Sequence, residues 1–428
     1  MVGKQKVFFD ATHGTNGMRR LGSALLILSL ALQLGTVSSE PRVDPETKVI
    51  RLLHIGKAWY QANAPGPVFV QDPKINWIPV PAHAWSMGAE AFRALRLYLP
   101  RSKERFFANY DVVLIDGMDA SHLRTDFQYW LVEGVTTKGM SFVMADDSSS
   151  FATSGSHTSW YLYPVGEILP VDDKPVGGSP YGSQHAFHII PEIPNHEFTN
   201  NIPWNEVWIE AANRPWPRLG STVVTRMSEE VYINRGKKQM VYWDYPAGNG
   251  RSVAWIHRWV GNPEFWRWRY CTDVTAHVIY FTARVPIPAD LNLVHRIRGM
   301  IGDYYYGRLY ATSTIEFADK FGANIRPVEM KLLELAEQRA RADRLFIEQD
   351  YEGAALEMET AVAELDKVVQ EAIRAKDRAL AWIFLIEWFV VSGTSMLAGA
   401  LVWTLMVKRR LYKEVGETRL RAMGDATR

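Results

Sequence analysis

Ser148, His257 and Asp147 are of the types that could serve as nucleophile, base and orienting carboxylate in the hydrolysis of an ester or amide. Ser148 stands in Ala145-Asp146-Asp147-Ser148-Ser149-Ser150, which lacks the Gly-x-Ser-x-Gly spacing that exposes a serine on a strained elbow. Serine-rich segments of this kind ordinarily serve as turns. The chain has 1 cysteine, Cys271, in a stretch read as helical, where a small buried thiol is expected. That count excludes an intramolecular disulfide and any metal site with two thiolates. His185, His188, His196 and Glu197 are close in sequence but lie near Pro191 and Pro194, away from any helical spacing that would aim them at one ion. Asp146-Asp147 and Asp172-Asp173 lack the alternating spacing of a calcium loop. No metal is expected.

Aromatic residues are the denser signal. Trp204, Trp208, Trp216, Trp255, Trp259, Trp266 and Trp268 crowd one stretch of the chain. Flat rings stack on sugars and on Arg, so Trp259 and Trp268, with His196, are the candidate contacts for a glycan. The same rings also suit a core or a protein interface, and His196 also suits a structural role, bonding backbone. Gly-x-x-x-x-Gly-Lys-[Ser/Thr], Gly-x-Gly-x-x-Gly and His-Glu-x-x-His are all absent, and no cofactor is expected. Lys+Arg is 48 against Asp+Glu 47, a formal net charge of +1, which excludes a dedicated nucleic-acid binder. Hydrophobic residues at 47% and charged residues at 22% exclude wholesale disorder.

Both ends point to a membrane. Met18-Arg19-Arg20 followed by Leu21–Leu34 and then Val37-Ser38-Ser39 has the basic, apolar and small-residue order of a signal peptide, so residues 1–39 are expected to be leader. Ala379–Val407 is apolar and long enough to span a bilayer, with Trp382, Trp388 and Trp403 toward its ends. Lys408-Arg409-Arg410 follows, which predicts a basic cytoplasmic tail over 408–428 and an extracytoplasmic head. Glu387 lies within the span, where a carboxylate either reaches the headgroups or pairs with a partner helix. Ser392, Ser395 and Gly399 share one helix face and would allow close helix approach, so they are the candidate membrane-partner contacts with Glu387.

Between the ends, Lys48–Gly56, Tyr110–Asp116 and Met140–Ala145 read as buried strands, with helices over 84–99 and 127–135. Residues 66–81 read as Pro-rich and extended. Strands are expected over 222–233, 239–243 and 251–259, and a closing helix over 263–281. The alternation predicts a largely parallel α/β sheet across 48–285. Helices over 291–309 and 314–322 form a connector, 286–326. Stretches 330–349 and 354–376, joined by Asp350-Tyr351-Glu352-Gly353, form a helical hairpin or stalk within 327–378. No Gly or Pro separates Ala354 from Ser392, which predicts a continuous helix into the span.

Several segments carry a family resemblance. They are Tyr110–Gly117, the helix ending at Lys138-Gly139, Ser141–Ala145, Pro164–Pro170, Pro194-Asn195-His196 and Gly248–Ala254. Over about 48–285 the chain resembles the class I glutamine amidotransferase-like superfamily, in its membrane-associated and trehalose-utilisation-protein-like branch. The resemblance implies a three-layer, flavodoxin-like α/β head. In such enzymes a cysteine thiolate stands on the turn after a core strand and a histidine base follows late in the chain. Here that turn is Ala145–Ser150, without cysteine, and His257 falls where the resemblance puts the base. The expectation is therefore a non-catalytic, membrane-anchored binding or assembly module with a partner membrane protein, a second copy or a glycan. A serine-type hydrolase is the alternative.

Overall fold

The computed structural model describes residues 42–59, 64–82, 88–145, 160–172, 185–211, 215–229, 236–246, 250–257, 259–260 and 262–425. The expected leader, Asp147 and Ser148 lie outside the described residues. The head is built on an 8-stranded sheet. Its strands in chain order are β1 (Ile50–Gly56), β2 (Ile75–Pro81), β3 (Val112–Asp116), β4 (Ser141–Ala145), β5 (Ile189–Pro191), β6 (Thr222–Met227), β7 (Lys238–Asp244) and β8 (Arg251–Trp255). Across the sheet they lie in the order β2-β1-β3-β4-β8-β7-β6-β5. The pairings from β2 through β8 are parallel and the remaining three antiparallel.

β3 and β4 are buried at every position, as strands covered on both faces must be. The helices of the head are α1 (Gly66–Gln71), α2 (Gly88–Tyr98), α3 (Lys103–Asn109), α4 (Thr125–Thr137), α5 (Pro263–Arg267) and α6 (Cys271–Thr282). Residues 66–81, expected to be extended throughout, divide into α1 and β2. Proline at the first turn costs α1 nothing, because those amides have no intrahelical acceptor. Pro79 and Pro81 are tolerated because β2 is an edge strand with one unpaired side. The closing helix is two pieces broken at Trp268, whose backbone is extended. The last strand ends at Trp255, so His257 stands in the coil beyond it.

Below the head, the two expected connector helices are one, α7 (Leu291–Asp319), capped by Asp290, whose carboxylate accepts from the Leu293 amide. α8 (Arg326–Ile347) and α9 (Tyr351–Asp425) follow. α9 packs against both α7 and α8. Val294, Ile301, Leu332, Leu335, Met358, Leu365 and Val368 are among the residues of their shared core, which is separate from the core of the head. The connector and hairpin are thus one three-helix bundle. α9 is continuous for 75 residues, about 110 Å at 1.5 Å per residue. It is one helix long and apolar enough to cross a membrane.

Candidate functional site

In the sheet, β1 leads to β2 on one side and β2 returns to β3 on the other. The chain therefore reverses its direction of winding between β1 and β3, and open α/β sheets bind ligands beyond the carboxyl ends of their strands at such a point. Polar groups are buried there. His54 of β1 and Asp116 at the end of β3 are both fully buried, with His54 Nε2 3.7 Å from Asp116 Oδ2. His54 Nδ1 accepts a hydrogen bond from Trp77 Nε1 at 3.1 Å. An imidazole that accepts at Nδ1 carries its proton on Nε2, so the neutral ring turns its N–H toward the carboxylate.

The backbone brings these strand ends together. Gly56 has φ 120°, and a Cβ there would lie 1.9 Å from the Asp116 carbonyl oxygen. Lys57, itself buried, donates its amide to that same oxygen at 2.8 Å. Beyond β3, Asp119 accepts from the amide and hydroxyl of Ser121 at 2.8 and 2.7 Å. Trp160 Nε1 donates to the Met118 carbonyl at 3.0 Å, tying the segment after β3 to the core. The buried imidazole of His54 and the carboxylate of Asp116 form a polar pair at the strand ends, with the backbone of Lys57 held against it. Sequence reasoning missed His54, Lys57 and Asp116 as site residues. Their signal was a charged or titratable side chain within or directly after an otherwise apolar strand.

The residues singled out from the sequence are dispersed. His257 is fully buried, its ring 4.5 Å from that of Phe265 and 6.3 Å from that of Trp255. Trp259 is also fully buried, between Phe69 and Trp255. Trp268 is packed against Trp204, Phe265 and Tyr270, and its indole N–H donates to Glu206 at 3.3 Å. Buried in this way, Trp259 and Trp268 offer no face to a sugar ring. Of the seven tryptophans in the cluster, only Trp208 is classed as exposed, and His188 stacks on it. His196 accepts from the Phe198 amide through Nδ1 and packs against Phe281 and Tyr242. Burial and the Arg251 guanidinium lower its pKa, so it is a neutral turn-capping ring.

Cys271 is buried at the start of α6 and donates weakly to the Trp266 carbonyl at 3.6 Å. Burial and the Asp273 carboxylate push its pKa up to about 12, so the single thiol of the chain is not a thiolate at neutral pH. Among the described residues, no three His, Cys, Asp or Glu side chains gather as metal ligands.

A second buried polar cluster joins head to bundle. Arg298 of α7 donates to Asp72 Oδ2 through Nε at 3.1 Å and Nη2 at 2.9 Å, and to Asp273 Oδ1 through Nη1 at 2.7 Å. Tyr280 donates to Asp72 Oδ1 at 2.6 Å, and His295 contacts Asp273 Oδ2 at 2.7 Å. Burial alone would raise Asp273, but hydrogen bonds from His295 and Arg298 outweigh it and hold the carboxyl below its ordinary range. Lys74 extends the joint to the bundle's other arm, donating to the Ile347 carbonyl at the end of α8 at 2.8 Å. His277 lies alongside on α6; burial and the Arg298 charge lower its pKa to about 3.

Farther along α9 the setting changes. Ala372, Ala375 and Ala379 are buried in the bundle, whereas Trp382, Phe384, Trp388 and Leu397 are exposed. Glu387 and Ser395 are exposed, Ser392 half-buried, and nothing lies within 4 Å of a Cβ placed on Gly399. Ser395 spends its hydroxyl on the Val391 carbonyl at 2.8 Å, as serines in apolar helices do. The candidate partner face is therefore open along the described helix. Neither the family-model scan nor the search of curated proteins matches this chain.

Proposed function

We propose that this chain is a non-catalytic, membrane-anchored binding or assembly module. Its α/β head is read as flavodoxin-like and amidotransferase-like. One observation carries the reading: α9 runs unbroken from the buried joint beneath the head, through the bundle, into the exposed apolar stretch Ala379–Val407. A hinged tether would place a Gly- or Pro-rich linker there. A continuous helix instead holds the head at a fixed height and orientation. The 29 residues of α7 set that height at about 43 Å. The side facing outward is the head, where His54, Lys57 and Asp116 are buried at the strand ends, so a ligand or partner would meet the surface above them rather than these side chains. The basic residues after Val407 support a cytoplasmic tail and an extracytoplasmic head.

The absence of a thiolate supports the non-catalytic reading, because Cys271 is buried and protonated. Purification of the full-length chain from its native membrane in mild detergent, with mass spectrometry of what accompanies it, tests the proposal. A stoichiometric membrane protein or a second copy is expected. A lone monomer that turns over an ester or amide would overturn it.

A further inference from the structure

We infer that the turn between α7 and α8 is a second membrane contact, a foot that rests in the lipid interface beside the span. This rests on the reading of α9 as membrane-spanning. The register of the bundle carries the argument. α7 and α9 run in the same direction: Arg296 pairs with Glu359 at 3.4 Å, and a Cβ on Gly307 would lie 2.8 Å from Leu365 Cδ2. α8 runs antiparallel to α9, with Lys331 on Glu371 and Arg341 on Glu357 at 3.6 Å. Both registers bring the turn to the same level. Carried down α7 from Gly307, the first sets Phe317 level with Ala375 and Asp319, the last residue of α7, level with Asp377. Carried up from Lys331, the second sets Arg326 near Lys376.

Ala379 is the last buried position of α9 among the described residues, and the exposed apolar side chains of the span begin immediately after it. At that level the turn presents two aromatic rings to the outside. Phe317 and Phe321 are 40% and 43% exposed and contact each other edge to face at 4.8 Å. Ala318, between them, is fully buried and holds the turn against the bundle. Aromatic rings at the headgroup level of a spanning helix are where interfacial anchors belong. Glu316, Asp319, Lys320 and Arg326 around them cancel in charge. Lys376, Asp377 and Arg378 of α9 stand at the same level and leave it with one net positive charge, so the rings make the contact and anionic lipid adds to it. Two feet, α9 and the turn, would hold the bundle upright where a single helix leaves its tilt open.

The test is depth measurement in phosphatidylcholine nanodiscs on the full-length chain, in a Cys271→Ala background. Nitroxide labels are placed singly by Phe321→Cys, Leu333→Cys and Leu385→Cys. Leu333 is 60% exposed on α8, above the turn, and Leu385 lies within the apolar stretch. Collision rates with oxygen and with a water-soluble nickel chelate are compared. The expected result is an oxygen-to-nickel ratio at 321 several-fold above that at 333 and below that at 385, in zwitterionic lipid alone. A label at 321 as water-accessible as at 333, with 385 in lipid, would overturn the foot alone. Water access at 385 would overturn the span and the foot together. Phe317→Cys gives an independent reading should the label at 321 disturb the turn.

Discussion

Arg298 and Asp72 are 226 residues apart in sequence, yet the guanidinium of one donates two hydrogen bonds to a single carboxylate oxygen of the other in a fully enclosed setting. Asp72 caps the end of α1 in the head, while Arg298 belongs to the bundle, so the pair fastens one unit to the other. Asp273 takes the remaining arm of the guanidinium. Fork geometry suits arginine to this role, and lysine could not satisfy both carboxylates at once.

Arg298→Ala should therefore be severe. It leaves two buried carboxylates without their cation, a loss of about 3–5 kcal/mol. Replacing all three groups together, with Asp72→Asn, Asp273→Asn and Arg298→Met, removes the unpaired charge and should recover much of that loss. Urea unfolding of the full-length chain in detergent checks both. If the single variant proves as stable as the parent, the joint does not hold the head.

His277 predicts a pH dependence. Its folded pKa of about 3 lies below the ordinary value of 6.5, because burial and Arg298 disfavour the imidazolium. Below pH 6.5 the unfolded chain takes up a proton that the folded chain refuses. Stability from this group is thus complete above pH 6.5 and declines as pH falls toward 3, by up to about 1.4 kcal/mol per unit. Comparing the parent with His277→Leu isolates the effect, since other groups cancel in the difference. The parent should lose stability relative to the variant between pH 6 and 4. Parallel curves would show that the imidazole titrates normally.

Gly56 tests the buried strand-end pair. Alanine there meets both a positive φ and the Asp116 carbonyl at 1.9 Å, so β1 and β3 must separate at the edge where His54 and Asp116 face each other. A cost of about 3 kcal/mol or more is expected from strain and overpacking together. Histidine NMR signals would report it, with the His54 resonance moving while that of His295, at the bundle joint, stays in place. Equal movement of both would mean a general loss of fold.

The parallel half of the sheet was legible because strands buried on both faces are unbroken apolar runs, as Val112–Ile115 and Phe142–Ala145 are. α9 was legible from its length of sequence without Gly or Pro. The edge strand β2 was not, since Pro79 and Pro81 obscure its pattern and only its place at the sheet margin permits them. The three-helix bundle was hidden in the same way: Thr312, Ser313 and Thr314 interrupt the apolar spacing of α7, although Thr314 satisfies its hydroxyl on the Tyr310 carbonyl within the helix. Trp259 and Trp268 were read for sugar stacking on ring type alone, and ring type does not distinguish an open face from a core position. The two buried polar clusters depend on contacts between distant segments, and no local spacing encodes them.

Hydrolysis is separable from binding at Ser148. A working triad loses about 10⁴-fold or more in rate when its serine is removed. With His257 enclosed by Phe265 and Trp255, the expected outcome is that Ser148→Ala and His257→Ala leave background ester turnover unchanged. The assay is release of p-nitrophenol from short acyl esters by the purified full-length chain. Ser148→Ala carries the weight, because it removes a single hydroxyl, whereas His257→Ala opens a cavity beside Phe265. A fall of several orders of magnitude in Ser148→Ala would establish a serine hydrolase and displace the binding module. Glu387→Leu completes the separation from the membrane side. If that carboxylate docks a partner helix, the variant should lose the co-purifying protein while the His277-dependent pH profile of the chain stays as in the parent, and undiminished recovery of the partner would remove Glu387 from the interface.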